Sequence, residues 1–336
     1  MHDPEITIAG RPVGARHAPF VIAEIGSNYD QSEDKARRLI DAAAEAGADC
    51  VKFQLFRADA LYPPGTELNA LFKSVELNPD SLPVFAEHAR QRGVLFSASV
   101  FDADSLRALL DVGVPLLKVA SSETTNLPLL RAMAASGVPL LISTGMCELG
   151  DVDDAVTVSR GAGNNAICLM QCGAVYPLPP EDCNLRVLDQ YVASFGVPVG
   201  FSDHTLGIAA PVAAVARGAS VIEKHITLDR TDEGPDHSYA LEPDDFGRMV
   251  DMIREAHAAL GGDFKRMLPQ ERAHGRREGL HAARDLPAGT VLAEADMIEA
   301  RPAVGVRARH RQAAVGARLG RAVAKGEPVR WEDLGK

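Results

Sequence analysis

The chain has 336 residues, of which 46% are hydrophobic and 24% charged, and its formal net charge is −11. This length allows one large core and a small second domain. The acidic balance argues against nucleic acid and anionic membranes as partners. No apolar run reaches the ~20 residues of a membrane-spanning helix. The first residues lack a basic region followed by an apolar one, so we expect no signal peptide. Five cysteines favour buried free thiols over disulfides, and we therefore expect a cytoplasmic protein.

Short apolar runs alternate with amphipathic stretches between residues 20 and 260. The predicted strands are 20–25, 49–54, 94–99, 115–120, 139–143, 166–171, 198–202 and 219–226, and predicted helices include 32–46, 126–136 and 208–218. Ser32 is a candidate N-cap for 32–46, and Gly47 ends that pattern. Eight strands alternating with helices predict an α/β fold, a (β/α)8 TIM barrel, with a doubly wound sheet as the alternative.

The composition of the chain changes after the barrel pattern. The helical pattern ends near Gly261-Gly262, and from residue 279 onward turns rich in Gly and Pro separate short β-like runs. We therefore predict a barrel domain over 1–262, with 1–19 as an N-terminal cap over the barrel floor. A charged linker over 263–278 and a small β-rich domain over 279–336 follow.

Polar residues recur near the C-terminal ends of the predicted barrel strands, where TIM-barrel active sites lie. They are Glu24, Lys52, Gln54, Ser99, Lys118, Ser121, Glu123, Ser143, Gln171, Ser202, His204, Glu223 and His225. Each has a structural explanation by itself, such as an ion pair, a helix cap or a hydrogen-bonded core histidine. Polar groups at the same end of eight strands are hard to explain by packing and predict an active site.

The residue types indicate the chemistry of this site. Lys52 and Lys118, with several serine hydroxyls, suit an anion that carries both carboxylate and phosphate. His204 and His225 lie 21 residues apart, about one strand–helix unit. Two imidazoles at neighbouring strand tips can hold Mn, Zn, Co or Mg and leave positions open for substrate. A metal beside an anion pocket suits aldol-type condensation of a phosphorylated enol with a sugar aldehyde.

Several sequence blocks occur in one order along the chain. They are Ala-Glu24-Ile-Gly, Val-Lys52-Phe-Gln54, Leu-Lys118-Val-Ala-Ser121-Ser-Glu123, Ser143-Thr-Gly-Met, Tyr176-Pro, Phe-Ser202-Asp-His204, Ile-Glu-Lys-His225, Gly-Pro-Asp236-His and Ala-Arg301-Pro-Ala-Val-Gly. Together they resemble the N-acylneuraminate (sialic acid) synthase family, and the last block resembles its C-terminal antifreeze-like (SAF) domain. The resemblance implies condensation of phosphoenolpyruvate with an N-acylmannosamine-type sugar. The products would be a nine-carbon 2-keto sugar acid, N-acetylneuraminate or a related nonulosonate, and phosphate.

The resemblance also implies roles for individual residues. His204 and His225 would bind the divalent metal, with Mn as the expected ion, and Glu24, Glu123 and Asp236 would be catalytic. Phosphoenolpyruvate would be held by Lys52, Ser99, Lys118, Ser121, Ser143 and Ser202, while Gln54 and Tyr176 would face the sugar. Arg301 would reach the N-acyl group of the sugar in the partner subunit, which implies a homodimer.

Two departures from the family pattern leave the acceptor open. The chain has Asn28-Tyr29 where the family usually has Asn-His, and Gly173-Ala174 where many members carry side-chain donors before Tyr-Pro. A 2,4-diacetamido-2,4,6-trideoxyhexose, the acceptor of legionaminic and pseudaminic acid synthases, is therefore an alternative. More distant alternatives are a barrel synthase for eight-carbon sugar acids, which the SAF-like tail disfavours, and a non-catalytic N-acyl-sugar-binding protein.

Overall fold

The computed structural model describes residues 3–274 and 276–335. The chain forms two compact units, which meet in the sequence at Gly261 and Gly262. The first unit begins with an antiparallel hairpin of β1 (Glu5–Ile8) and β2 (Arg11–Gly14). Apolar side chains of this hairpin, including Ile8, pack with inward-facing residues near the strand starts. The hairpin therefore closes the N-terminal end of the first unit's core.

Eight parallel strands close into a barrel in the first unit. They are β3 (Phe20–Gly26), β4 (Cys50–Leu55), β5 (Leu95–Val100), β6 (Leu117–Val119), β7 (Leu140–Ser143), β8 (Ile167–Cys172), β9 (Val199–Asp203) and β10 (Val221–His225). Each strand pairs with the next along the chain, and β10 pairs with β3 to complete the ring. The TIM-barrel prediction is confirmed, and the doubly wound alternative is wrong.

Helices surround the barrel on its outside. They are α1 (Glu33–Glu45), α2 (Ala58–Leu61), α3 (Glu67–Ser74), α4 (Leu82–Gln91), α5 (Ala103–Asp111), α6 (Leu127–Ala135), α7 (Leu149–Gly161), α8 (Val187–Phe195), α9 (Ala209–Ala216) and α10 (Pro243–Leu260). Ser32 caps α1 as predicted, because its side chain accepts a hydrogen bond from the Lys35 amide at 3.2 Å. Gly47 follows with a φ of +85°, a conformation that favours glycine at a helix end.

Strand parity separates the two faces of β4. Lys52 points into the barrel, whereas Phe53 points out and stacks on Phe85 of α4 with ring centroids 5.1 Å apart. Tyr29 joins this outer cluster edge-to-face, 5.7 Å from Phe53. The departure at Tyr29 therefore lies in the layer between barrel and helices, away from the inward-facing polar residues.

The second unit is small and rich in short strands. It contains α11 (Pro269–His274), β11 (Gly279–Ala282), β12 (Met297–Ala300), α12 (Arg311–Ala314), β13 (Arg318–Leu319) and β14 (Leu334–Gly335). A separate apolar cluster that includes Leu280, Leu292 and Val306 forms its core. This confirms the predicted β-rich second fold, and α11 lies inside the segment predicted as a linker. Among the described residues, no helix combines the length and apolar character needed to cross a membrane.

Candidate active site

A cavity of about 520 Å3 opens at the C-terminal ends of the barrel strands. Its lining includes the predicted site residues Glu24, Lys52, Gln54, Ser99, Lys118, Ser121, Glu123, Ser143, Tyr176, Ser202, His204, His225 and Asp236. Closure of a parallel barrel brings all strand ends to one mouth, so residues more than 200 positions apart in sequence share this space. Two of the predicted residues lie elsewhere: Arg301 belongs to the second unit, and Gln171 is not part of this lining, since its Nε2 donates to the Cys183 carbonyl at 3.0 Å.

Two lysine–serine pairs lie deep in the cavity. Lys52 Nζ donates to Ser99 Oγ at 2.7 Å, and Lys118 Nζ donates to Ser143 Oγ at 2.6 Å. Both lysines are 2% exposed. Burial lowers the pKa of Lys118, whereas for Lys52 the charges of Glu223 and Glu24 outweigh burial and raise the pKa. The two ammonium groups form a concentrated cationic region suited to a small anion.

Glu223 connects the two lysines. Its Oε1 lies 3.6 Å from Lys52 Nζ and 3.9 Å from Lys118 Nζ. It also accepts a hydrogen bond from Ser202 Oγ at 3.1 Å. Burial would raise the pKa of this carboxyl, but the two ammonium groups outweigh burial and lower it. Glu223 therefore holds a negative charge that offsets part of the lysine charge when no anion is bound.

Glu24 lies beside Lys52 and Glu223, but its pKa is shifted in the opposite direction to that of Glu223. Its carboxylate lies 2.7 Å from Lys52 Nζ and accepts from Gln54 Nε2 at 3.1 Å. Burial nevertheless raises its pKa to about 7, and the charge of Glu223 adds to that rise while Lys52 opposes it. A carboxyl with this pKa exchanges a proton near neutral pH and suits general acid–base chemistry.

The histidine pair has the properties of metal ligands. His204 and His225 are buried at the tips of β9 and β10, with ring centroids 5.4 Å apart. The Gly173 carbonyl accepts from His204 Nδ1 at 2.8 Å, which assigns the proton to Nδ1 and leaves Nε2 as a free lone pair. His225 Nδ1 is buried without a hydrogen-bond partner, 4.0 Å from Asp236 Oδ2. Burial lowers the pKa of both rings, of His204 to about 4, so both are neutral as metal binding requires. The residues present therefore fit a divalent ion.

Asp236 is fixed at the rim by neighbouring hydroxyls. Tyr239 donates to its Oδ1 at 2.6 Å, and the Ser27 hydroxyl donates to its Oδ2 at 3.0 Å. Burial would raise the pKa of Asp236, but the neighbouring His225 ring and these hydrogen bonds outweigh burial and lower it. The carboxylate is thus ionised and directed toward the histidine pair. It can complete a metal site or orient a water.

A second group with metal-ligand residue types lies behind this rim. Asp30, Asp232 and His237 approach one another closely enough to share an ion. The ammonium of Lys35 already pairs with both carboxylates, and its distance to Asp232 is 2.6 Å. His237 also lies against the Thr227 hydroxyl at 2.7 Å. The lysine ammonium already neutralises these carboxylates, and the contact of His237 with Asp30 at 3.0 Å helps to hold the loop that carries Asp236.

Ser121, Glu123 and Tyr176 form part of the walls of the cavity. Ser121 Oγ accepts from the Gly145 amide at 3.0 Å, and Glu123 accepts from Asn126 at 3.0 Å. The Tyr176 ring packs against His204 with centroids 4.2 Å apart. A Cβ on Gly173 would lie 2.5 Å from a Leu178 methyl, so a larger residue there would need the Leu178 side chain to shift.

Sequence reasoning missed several residues of the cavity. The sequence places Glu223 among the polar residues at the strand ends but assigns it no role, although its position two residues before His225 puts both side chains on one face of the strand. Tyr239 had no such signal, because it lies in a one-turn 3₁₀ helix beyond the barrel strands. The aromatic residues Tyr62, Phe72 and Phe101 also line the cavity and come from connections outside the strand pattern.

Arg301 is a surface residue of the second unit. Its side chain is 66% exposed, and its Nε lies 3.9 Å from Glu278 in the same unit. An exposed guanidinium is available to a ligand or a second copy of the chain. Its role toward a sugar stays a prediction.

Fold and site together define a TIM-barrel synthase whose mouth combines an anion pocket with a histidine pair. The family model described as "NeuB family" matches residues 39–265, and the SAF domain model matches 277–335. The chain therefore belongs to the NeuB family, which confirms the predicted N-acylneuraminate synthase resemblance, and it is a carbon–carbon bond-forming enzyme.

Named relatives cover most of the chain. It is 36% identical to N,N'-diacetyllegionaminic acid synthase of Legionella pneumophila, over 96% of this chain and 97% of the relative. It is 40% identical to N-acetylneuraminate-9-phosphate synthase of Mus musculus, over 84% and 83% respectively. Among solved structures, the N-acetylneuraminic acid (sialic acid) synthetase of Leptospira borgpetersenii matches with a TM-score of 0.77 at 32% identity, covering 81% of this chain and 95% of that chain.

Proposed function

We propose that this enzyme condenses phosphoenolpyruvate with an N-acylmannosamine-type sugar, in a reaction that depends on a divalent metal, with Mn as the expected ion. The products are a nine-carbon 2-keto sugar acid and inorganic phosphate. The observation that carries this proposal is one cavity in which two buried lysine–serine pairs face two neutral imidazoles. The family match supports the same reaction.

Lys52 and Lys118 bind the enolpyruvate. Their ammonium groups and the hydroxyls of Ser99 and Ser143 provide donors for one phosphate and one carboxylate. Ser121 and Ser202 add hydroxyls on neighbouring strands of the same lining. Such fixed donors in a buried site restrain the substrate and stabilise the charge that develops during reaction.

His204 and His225, with Asp236 beside them, would hold the metal. When bound there, a divalent ion supplies Lewis acidity toward the aldehyde oxygen and toward a water. The two imidazoles leave coordination positions for substrate oxygens, as in catalytic rather than structural metal sites.

The carboxylates of Glu24, Glu123 and Asp236 transfer protons and orient water. The enol carbon of phosphoenolpyruvate bonds to the aldehyde carbon of the sugar, and the former aldehyde oxygen takes up a proton. Glu24, with a pKa of about 7, can exchange that proton. Water, oriented by Glu123 or Asp236, adds to the cationic C2 and loses a proton to a carboxylate. The bond from the resulting tetrahedral carbon to the phosphate oxygen then breaks, the proton of the new hydroxyl passes to the departing phosphate, and the ketone forms.

Phosphate release tests the reaction. Metal-free enzyme is mixed with phosphoenolpyruvate and a panel of N-acyl hexosamines, each with and without Mn. We expect phosphate release that requires both an acceptor and the metal. Full turnover in metal-free enzyme would refute the metal site, and binding of sugar without turnover under any condition would favour the non-catalytic alternative.

A histidine variant tests the ligand assignment. His225→Ala should lose Mn affinity while keeping its fold, because one of two imidazole ligands is removed from a buried position. Mn binding is measured by calorimetry and folding by circular dichroism. His257→Ala, on α10, is the matched control and should bind Mn normally. Unchanged Mn affinity in His225→Ala would contradict the assignment.

The names of the relatives leave the acceptor undecided. One relative is named for a diacetyllegionaminic acid and another for a 9-phosphate product. The two named products differ in their acyl groups and in the charge of the sugar. The chain's identity to the two, 36% and 40%, is too similar to choose between them.

A further inference from the structure

The loop that carries Asp236 is tied to the first helix of the barrel. This loop, residues 227–236, consists of turns and bends that follow β10, and it is called the Asp236 loop below. Lys35 lies on α1, and its ammonium pairs with Asp232 of the loop at 2.6 Å and with Asp30, which precedes the helix. One cation therefore joins the loop to the connection between β3 and α1.

His237 supplies a second contact between the same two segments. Its Nε2 lies 3.0 Å from Asp30 Oδ1, and its Nδ1 lies 2.7 Å from the hydroxyl of Thr227 at the start of the loop. The ring is buried, and a Cβ on Gly234 would lie 2.7 Å from it, so the turn at Gly234 packs directly on the imidazole. The start and the end of the Asp236 loop are thus joined at Asp30.

Lys35 is the cation of this group, and its side chain is only 16% exposed. Burial would lower its pKa, but the hydrogen bonds with Asp232 and Asp30 outweigh burial and raise it. The two carboxylates approach within 4.8 Å of each other. Without the ammonium, these like charges would repel each other and push the loop away from the helix.

The Asp236 carboxylate depends on the position of this loop. Its Oδ2 lies 4.0 Å from His225 Nδ1 and accepts from the Ser27 hydroxyl at 3.0 Å. Ser27 belongs to the same β3–α1 connection as Asp30, so one backbone segment supports both Asp236 and the ion-paired residue four positions before it. A displacement of the loop would therefore move Asp236 relative to His225.

We propose that Lys35 is a positioning residue for the metal site. By pairing Asp232 with Asp30, it holds the Asp236 loop where the Asp236 carboxylate lies beside His225. Lys35 is not among the described residues that line the cavity, and it acts through the loop alone. The inference rests on the proposed function, which gives Asp236 a role beside the metal, and it adds a residue that lies outside the sequence blocks of the family resemblance.

Lys35→Met tests this role because charge and position predict opposite results. Removing a positive charge from the protein would, through electrostatics alone, tighten the binding of a divalent cation. Loss of positioning would weaken it, since removing groups that orient metal ligands commonly costs about 10–100-fold in affinity. We expect Mn affinity, measured by calorimetry, to fall about tenfold. The KM for phosphoenolpyruvate should stay unchanged, because Lys52 and Lys118 lie on other strands.

Arg38→Met is the matched control for this variant. Arg38 is an exposed residue of the same helix, and the substitution removes the same charge without touching the Asp236 loop. Arg38→Met should therefore bind Mn at least as tightly as the parent protein. An equal loss of Mn affinity in both variants would overturn the role of Lys35.

Hydrogen exchange measures the loop itself, without metal or substrate. In metal-free protein, we expect amides of residues 227–237 to exchange about fivefold faster in Lys35→Met than in the parent or in Arg38→Met. Amides of β5, on another side of the barrel, should exchange at the same rate in all three proteins.

The outcomes separate this inference from the function on which it rests. Unchanged exchange in the Asp236 loop, or Mn affinity that stays equal or tightens in Lys35→Met, overturns the positioning role. Faster exchange in β5 as well as in the loop also overturns it, because the effect would then be a general loss of stability. A parent protein that binds no Mn overturns the metal site of the proposed function instead, while the exchange of the loop still reports whether Lys35 holds it.

Discussion

Glu24 shows how the environment of one residue sets its chemistry. It lies within 2.7 Å of a lysine ammonium, which normally keeps a carboxylate ionised. Complete burial and the neighbouring Glu223 nevertheless raise its pKa from 4.5 to about 7. Glu223 itself stays ionised because it lies between two lysines. Two carboxyls in one cavity therefore differ in charge state, which is the usual requirement for separate acid–base and electrostatic roles.

The raised pKa of Glu24 predicts a pH dependence of stability. The folded protein binds this proton more tightly than the unfolded chain, so the free energy of unfolding decreases as the pH rises from 4.5 to about 7. Glu24→Gln cannot titrate and should flatten that part of the profile. Urea unfolding of metal-free protein across this pH range measures the slope. Glu45→Gln, on the surface of α1, should behave as the parent protein. Equal slopes for Glu24→Gln and the parent would contradict the raised pKa.

At the scale of elements, the tips of β9 and β10 are joined by a buried ion pair. Lys224 Nζ lies 2.6 Å from Asp203 Oδ2, and both side chains are almost fully buried. Their parity is opposite to that of the adjacent residues His204 and His225, so the pair lies outside the barrel lining. It connects the two strand tips from behind and so restrains the two histidines that face the cavity.

Removing one partner of this pair should destabilise the protein and loosen the metal site. Lys224→Met leaves the Asp203 carboxylate buried without its counter-charge, which costs about 3–5 kcal/mol. We expect urea unfolding to show this loss and calorimetry to show weaker Mn binding. The double variant Lys224→Met with Asp203→Leu removes both charges and should recover much of the stability. Recovery of stability without recovery of Mn affinity would identify the pair as a positioning device rather than a source of stability.

At the scale of the whole molecule, the resemblance predicts that Arg301 of one subunit reaches the sugar site of another. Arg301→Ala should raise the KM for the sugar far more than the KM for phosphoenolpyruvate, because the guanidinium addresses the N-acyl group. Steady-state kinetics with each substrate varied measures both constants. The opposite ranking would remove Arg301 from the sugar site.

Mixing variants tests whether the site is shared between subunits. If the protein is a homodimer, Arg301→Ala and His225→Ala should each impair both sites of their own dimer. If Arg301 acts across the interface, a mixed dimer contains one site with both residues intact, and an equal mixture regains about a quarter of the parent activity. Activity that stays at the level of the separate variants after subunit exchange would contradict action across the interface. Light scattering of the parent protein establishes whether a dimer forms.

Much of the site was predictable because strand parity is a local property. Two residues of the same strand two positions apart face the same side, so Lys52 and Gln54, or Ser202 and His204, could be paired from the sequence alone. Eight such strands with polar C-terminal ends predict a polar cavity at the mouth of a barrel. The loops carry no comparable periodicity, so Tyr239 and the aromatic wall around Phe72 were not predicted.

The sequence by itself determined the class of fold, the order of the strands and the chemical types at the mouth, since these follow from residue periodicity and motif order. Only the tertiary structure decided which charges face each other and how strongly burial acts on them. The pKa of Glu24 and the unpartnered Nδ1 of His225 depend on distances between residues far apart in sequence. Electrostatic energies vary with distance and desolvation, and neither is encoded in local sequence pattern.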